Sequence, residues 1–513
     1  MSLTGRAGGV GPGDFSLRPR ERADASATTF ANAVLTLVMA ACITAIPILT
    51  HVLHPAAGIL TAVLLSGLCA WCLPQISIVT ILFALLFQNF VVSLAAGFVT
   101  SDDDFDIIRG YNFVILSVTW LVVVATYLAG WRRRNQAIDP FIMVSVAVFA
   151  VVGVYFLIGF ALYGMAAIIY LRNIVTPFLL FHVCMLTFVQ RPVRLSPAMT
   201  VLSGLLAICG AFEFLYRRAW LDFTNGYVYW ERAMGPNYAT MAYDKALKKT
   251  GLVSTGLLDS FTIDLFNSPL LADSGIEIMR LLGPNMHAIS YAYALCFFAI
   301  FALYRGRISI SVLLVALLFL ANAKGPIILF LLVGASWAMF KIFGARFAFA
   351  CHCLALVAYA ALGIVLGLSI GDYHVIGLMG GLHEFLGNPV GRGIGAGGNL
   401  SSEFVTINWE DAQAVGRTPF AVESAVGVLL YQTGVFAVAI IGAYYWIAWR
   451  VQLIARATGN SLHAAASFGL MTIVATGLFQ EEAYFAPLAL GLFMALAGMI
   501  IGASARTGLL RAQ

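Results

Sequence analysis

PFIMVSVAVFAVVGVYFLIGFAL, residues 140–162, runs for twenty-three positions without one charged side chain. A helix of that length spans the roughly 30 Å hydrocarbon core of a bilayer. Only helices and closed barrels satisfy their backbone hydrogen bonds there, and barrel strands would alternate apolar with polar residues. The stretch therefore reads as helix. Working outward, similar runs recur at 30–50, 56–73, 76–98, 112–130, 167–189, 196–216, 284–304, 308–322, 326–340, 347–369, 426–448, 462–479 and 485–503. Of 513 residues, 61% are hydrophobic and 10% charged, and the mean hydropathy is +0.92; a soluble domain carries about 25% charged residues. The sequence predicts an all-α, polytopic integral membrane protein of about fourteen transmembrane helices. A soluble enzyme, a nucleic-acid-binding protein and a small disulfide scaffold are excluded.

An even number of spans puts both termini on one face. That face carries seventeen basic residues, among them Arg18, Arg20, Arg22, the run Arg132 to Arg134, Arg191, Arg194, Arg305, Arg307 and Arg506, against Asp14, Glu21, Asp24 and Asp139. The opposite face carries eleven basic and twenty acidic residues. Short positive loops stay in the cytoplasm, so both termini are expected inside. Residues 1–29 read as a disordered cytoplasmic tail, followed by an uncleaved signal anchor. Helices one to seven (30–216), a long outer loop (217–283), helices eight to eleven (284–369), a second outer loop (370–425), helices twelve to fourteen (426–503) and a short tail (504–513) complete the order. All eight cysteines fall in apolar spans, so no outer disulfide is expected. Cys351-His352-Cys353 reads as core packing, and neither a metal site nor a cofactor is expected.

Chemistry is sought where polar residues concentrate. Arg172, in Tyr170-Leu171-Arg172-Asn173, lies a few residues inside the outer end of the sixth span. A cation there costs about 2.5–3.5 kcal/mol at the bilayer centre and less near an interface. It either snorkels to the surface or serves as a fixed cation for an anionic ligand. Arg280-Leu281-Leu282-Gly283-Pro284-Asn285-Met286-His287 closes the first long loop. Its Gly-Pro-Asn turn is expected to start the eighth span with Pro284 at the first helical position, offering free N–H groups to an anion beside a guanidinium suited to phosphate. A similar turn with a cation stands at Ala323-Lys324-Gly325.

In the first loop, Trp220, Phe223, Tyr227, Tyr229, Trp230, Tyr238 and Tyr243 form either an interfacial aromatic belt or stacking faces for sugar rings, and 239–250 looks helical. The second loop holds His383-Glu384-Phe385-Leu386-Gly387-Asn388-Pro389-Val390-Gly391-Arg392-Gly393-Ile394-Gly395, a tightly turned backbone with no preceding strand and so no nucleotide loop. It delivers Glu423-Ser424 into the twelfth span, ahead of Gly434 and Ala437. Glu423 is a candidate general base or a helix N-terminal acid favoured by the dipole. Glu213 stands near the outer end of span seven as a counter-ion for Arg172 or Arg217.

These features, in this order, resemble the O-antigen ligase and polysaccharide polymerase superfamily of bacterial envelope glycosyltransferases. Arg280 to Asn285 is similar to its Arg-x-x-Gly-x-x-x-x-Pro-Asn segment, and Ala323-Lys324-Gly325 to its Ser-Arg-Gly hairpin. Asn388 to Gly395 resembles its Asn-Pro-x-x-Gly-x-Gly stretch. Glu423-Ser424 followed by Gly434 and Ala437 resembles its His-(Asn/Ser/Gln)-x9-Gly-x-x-Gly motif. This chain departs from the pattern with Glu423 for His, Lys324 for Arg and Ala437 for Gly, and the first of these weakens the ligase reading most.

The resemblance covers about 165–503. It implies a metal-independent polymerase that joins oligosaccharide units carried on undecaprenyl pyrophosphate, at the periplasmic face of a bacterial inner membrane. Glu423, Arg280 and Arg172 would be catalytic; Lys324, Asn285, Arg392, His383, Trp230 and Tyr229 would bind substrate. Its partners would be the lipid-linked donor, a glycan acceptor, membrane lipids and a chain-length regulator, with no nucleic acid. Transfer of finished chains to lipid A-core is the alternative within the same chemistry, and a secondary transporter the alternative outside it.

Overall fold

The computed structural model describes residues 19–130, 135–234, 262–265 and 275–512. In chain order the helices are α1 (Pro19–Leu53), α2 (Pro55–Cys72), α3 (Pro74–Ala95), α4 (Asp102–Arg109), α5 (Tyr111–Ala129), α6 (Asp139–Tyr163) and α7 (Met165–Gln190). Next come α8 (Ser196–Leu215), α9 (Arg217–Phe223), α10 (Gly226–Met234), α11 (Ala288–Tyr304), α12 (Ile308–Leu320), α13 (Lys324–Phe343) and α14 (Ala345–Ile370). Last are α15 (Tyr373–Gly387), α16 (Trp409–Val415), α17 (Ala425–Thr433), α18 (Ala437–Thr458), α19 (Ser461–Thr476), α20 (Glu482–Phe485) and α21 (Leu492–Arg506). A two-stranded antiparallel ribbon pairs β1 (Thr262–Asp264) with β2 (Glu277–Met279), Ile263 opposite Ile278.

Eleven of these segments are long and apolar enough to cross a membrane, and α11, α12 and α19 are shorter apolar helices. The architecture is that of an all-α multi-pass membrane protein. Its elements start where the sequence provides for it: proline occupies the first turn of α2, α3, α6 and α8, where a missing N–H costs nothing. The centre of the bundle is α7 against α21. Gly498 and Gly502 make that approach possible, since a Cβ on either would lie 2.4 Å from a carbonyl oxygen of α7, on Phe181 and Met185; small residues four apart let helices close in this way. At the periphery α14 turns Leu354, Val357, Leu362 and Val365 outward, the surface a helix shows to lipid.

Several boundaries differ from the sequence reading. α1 begins at Pro19, so residues 19–29, expected as tail, are helical. The eighth span begins at Ala288, four residues later than expected, with His287 as its N-cap; Pro284 sits in a turn, not at the first helical position. The twelfth span is two helices broken at Gly434–Phe436. Both long loops contain helices, α9 and α10 in the first, α15 and α16 in the second.

The glycine-rich stretch is no surface loop. Ile394 and Ala396 are buried at 0% and 2% exposure. Gly393 N donates to Gln432 O at 2.9 Å and Ile394 N to Tyr155 O at 3.0 Å. The segment is wedged between the α6–α7 junction and the break after α17. Gly391, Gly393, Gly395, Gly397 and Gly398 all have positive φ, and a Cβ on Gly434 would stand 2.1 Å from Pro389 O.

Candidate functional site

The site is built around the turn that follows β2. Glu213, near the end of α8 and fully buried, accepts from Leu282 N at 2.9 Å and Gly283 N at 2.7 Å. Arg217 at the start of α9 donates to Glu213 at 2.7 Å and to Arg280 O at 2.8 Å. The sequence reading gave the turn's free N–H groups to an external anion; the anion they bind is the protein's own Glu213, and the counter-ion of Glu213 is Arg217. The pair clamps the turn from both backbone polarities. It leaves the Arg280 side chain half-buried, with Nε donating to Ala321 O at 3.4 Å. Burial lowers the pKa of Arg280 while the Glu482 carboxylate raises it.

One side of the chamber is cationic. Arg172, half-buried on α7, donates to its neighbour Asn173 and lies within electrostatic range of Arg109 and Asp106. Arg109, in the last turn of α4, pairs with Asp106 at 3.0 Å and lies over the rings of Phe105 and Tyr229 at 5.6 and 6.0 Å. Two guanidiniums thus share one carboxylate, which is itself mostly exposed. His287 lies in range of both Arg280 and Arg109, and burial with those two cations pushes its pKa down to about 4. It nevertheless keeps exposed surface.

The other side is acidic. Asp372 caps α15 by accepting from His374 N at 3.0 Å and faces Lys324 Nζ at 3.9 Å. His374 Nδ1 meets the Glu423 carboxylate at 3.2 Å. Burial lowers the His374 pKa, but the adjacent Glu423 carboxylate and the charges of Asp372 and Glu482 outweigh that, so the net shift is upward. Glu481, buried, accepts from Tyr170 OH and from Asn399 N at 3.0 Å; burial and the neighbouring carboxylates push its pKa up to about 8. Glu482 beside it is half-buried, and burial followed by Glu423 raises its pKa against the pull of His374 and Arg280.

Of the residues singled out in the sequence, Arg172, Arg280, Lys324 and Glu423 belong to this cluster, drawn from four separate stretches and linked through Arg109, His287, Glu482 and Asp372. Asn285 lies at its edge and is spent on structure: its Nδ2 donates to Leu85 O at 2.9 Å, and its carbonyl accepts from Asn89 at 2.8 Å. Arg392 is taken up by an ion pair with Glu384 and a stack on Tyr431 at 4.8 Å, and His383 is an exposed neighbour of Glu384 at 3.5 Å. Tyr229, 2% exposed, packs edge-on against Phe105, so it is a core side chain and not a stacking face; Trp220 is likewise 2% exposed. Trp230 packs against Tyr229 and the small cluster around Leu282. Tyr238, Tyr243 and the stretch 239–250 lie outside the described residues.

His352 is a hydrogen-bonded interior histidine, on Ser336 at 2.7 Å and Thr472 at 3.4 Å. Arg109, His374, Glu481 and Glu482 were not singled out. The only signal they offered was the doubled acid of Gln480-Glu481-Glu482 one residue past an apolar run.

No protein-family model matches the chain, and no curated protein matches it.

Proposed function

We propose that the protein is a membrane glycosyltransferase that joins oligosaccharide units carried on undecaprenyl pyrophosphate, working at the periplasmic face of a bacterial inner membrane. The observation that carries the reading is the chamber's division into a cationic side (Arg172, Arg109) and an acidic side (Glu423, Glu481, Glu482), with Arg280 between them. Two guanidiniums near each other and short of counter-charge suit a ligand with more than one negative charge, and guanidinium grips phosphate oxygens bidentately. Departure of a lipid diphosphate concentrates charge on its oxygens, and fixed cations in a poorly hydrated site stabilise that charge without reorganising. The acidic side would face the sugars, where a hydroxyl must lose its proton as it attacks the anomeric carbon.

The test uses full-length protein in vesicles with a polyprenyl-diphosphate-linked oligosaccharide donor. The expected result is polymer on the lipid carrier, abolished by Arg172→Ala and by Arg280→Ala while both variants insert. Retained polymer length in both would overturn the phosphate-clamp assignment. Uptake of solute with no need for the lipid-linked donor would replace the reading with a transporter.

A further inference from the structure

The reaction just proposed needs a group to receive a hydroxyl proton, and the acidic side offers four carboxylates. Three are already engaged. Asp372 caps α15 and faces Lys324 at 3.9 Å. Glu423 is matched with His374 at 3.2 Å. Glu481 is buried and accepts from Tyr170 OH and Asn399 N, which ties α7 to the glycine-rich wedge. Glu482 differs from all three. It is half-buried, its carboxylate has no ion pair or hydrogen bond to another described side chain, and Arg280 lies within electrostatic range.

We infer that the Glu482 carboxylate is the general base that deprotonates the attacking sugar hydroxyl, an assignment that rests on the glycosyl-transfer reading above. The step balances without a further reactant. The acceptor O–H gives its proton to a Glu482 oxygen, and the freed electron pair forms the new bond to the anomeric carbon. The anomeric carbon–oxygen bond to the diphosphate breaks, and its electrons leave on the diphosphate oxygen, where the arginines meet them. Glu482 then returns its proton to water.

The electrostatics support the assignment. Burial and Glu423 raise the proton affinity of Glu482, and a base whose pKa approaches the working pH transfers protons better than an ordinary carboxylate. The charged and titratable groups facing it are Glu481, Glu423, His374, Arg280, Tyr170 and Tyr293. Arg280 keeps the position from becoming a bare cluster of like charges. It also joins the proton-accepting side to the side that receives the leaving group.

The test compares wild type, Glu482→Gln, Glu482→Asp and Glu423→Gln in the same vesicle assay, with donor retention measured separately. Glu482→Gln should lose at least about 10²-fold in turnover, the usual worth of a general base, while still binding the lipid diphosphate. Glu482→Asp should recover part of the rate and move the acid limb of the pH profile. Glu423→Gln should lose less than Glu482→Gln. Turnover of Glu482→Gln within threefold of wild type overturns the inference and leaves the glycosyl-transfer reading standing. If Glu482→Gln fails to insert, an unmoved acid limb in Glu482→Asp overturns it equally. A wild type that makes no polymer from the donor removes the parent reading, and the inference with it.

Discussion

Glu423 is held at φ +60°, one of four non-glycine residues at positive φ among the described residues. The others are Asn225, Met286 and Asn322, and the last two precede His287 and Lys324 by one and two positions. Backbone strain of this kind collects where a fold must aim a side chain. In a non-glycine residue it costs about 1–2 kcal/mol. Glu423→Gly and Glu423→Ala remove the same carboxylate, so their difference isolates the backbone. The glycine variant should be the more stable by about 1 kcal/mol, read as a higher unfolding midpoint in detergent. An alanine variant as stable as the glycine one would show that the conformation is unstrained.

The same residue sets a pH dependence. His374 has a pKa raised in the folded state, mainly by Glu423 acting against burial. Its contribution to stability is therefore complete below the unfolded imidazole value of about 6.5 and fades as pH rises through the folded value. As pH rises above that unfolded value, wild type should lose thermal stability relative to Glu423→Gln, in which burial of His374 is opposed only by Asp372 and Glu482. Parallel stability curves for the two proteins across that window would contradict the pairing.

At the scale of elements, two devices hold the chamber, and they differ in how far the sequence announces them. The glycine wedge was visible as composition, because glycine spaced every second residue marks a backbone that something approaches closely. What approaches is the polypeptide itself. On Gly398, at φ +77°, a Cβ would fall 1.8 Å from Tyr170 OH. Gly398→Ala should therefore displace Tyr170 from Glu481 and cost about 2–4 kcal/mol from strain and overpacking together.

The clamp of Glu213 and Arg217 was half legible. A buried acid four residues before an arginine suggests a pair, but its grip on the 280–283 turn joins segments about seventy positions apart and leaves no local mark. Glu213→Gln puts an amide where two N–H groups point. It should lose about 1–3 kcal/mol of stability and reduce activity as far as Arg280→Ala does. A stable Glu213→Gln variant with full activity would show that the turn holds itself.

For the whole molecule, what the sequence disclosed follows free-energy cost. An apolar run of about twenty residues has one cheap environment, so the runs became helical, the twelfth as two helices broken at Gly434–Phe436, although α11, α12 and α19 are short for the purpose. Arg172 stood out because a charge in such a run is expensive. Arg109, His374 and Glu482 lie outside the runs, where a charge costs nothing in sequence, and only the folding of distant segments onto one end gave them a shared role. Tyr229 misled for the converse reason: an aromatic residue in a polar loop reads the same whether it ends exposed or in a satellite core.

Charge also carries the orientation proposed for the whole. The polar cluster lies at the end bearing Asp103 and the 280–287 turn, and Thr507 follows α21 at the other. Basic residues concentrate at the Thr507 end, so on positive-inside sorting we propose that the polar cluster lies outside. The eight native cysteines all lie in apolar helices, so a cysteine-free background supports single reporters. In intact cells a membrane-impermeant thiol reagent should label Asp103→Cys quickly and His287→Cys more slowly, since His287 is enclosed yet solvent-accessible. Thr507→Cys should react only after lysis. The reverse pattern would put the chamber in the cytoplasm, out of reach of a donor presented at the outer leaflet, and would end the proposed chemistry whatever the arginines bind.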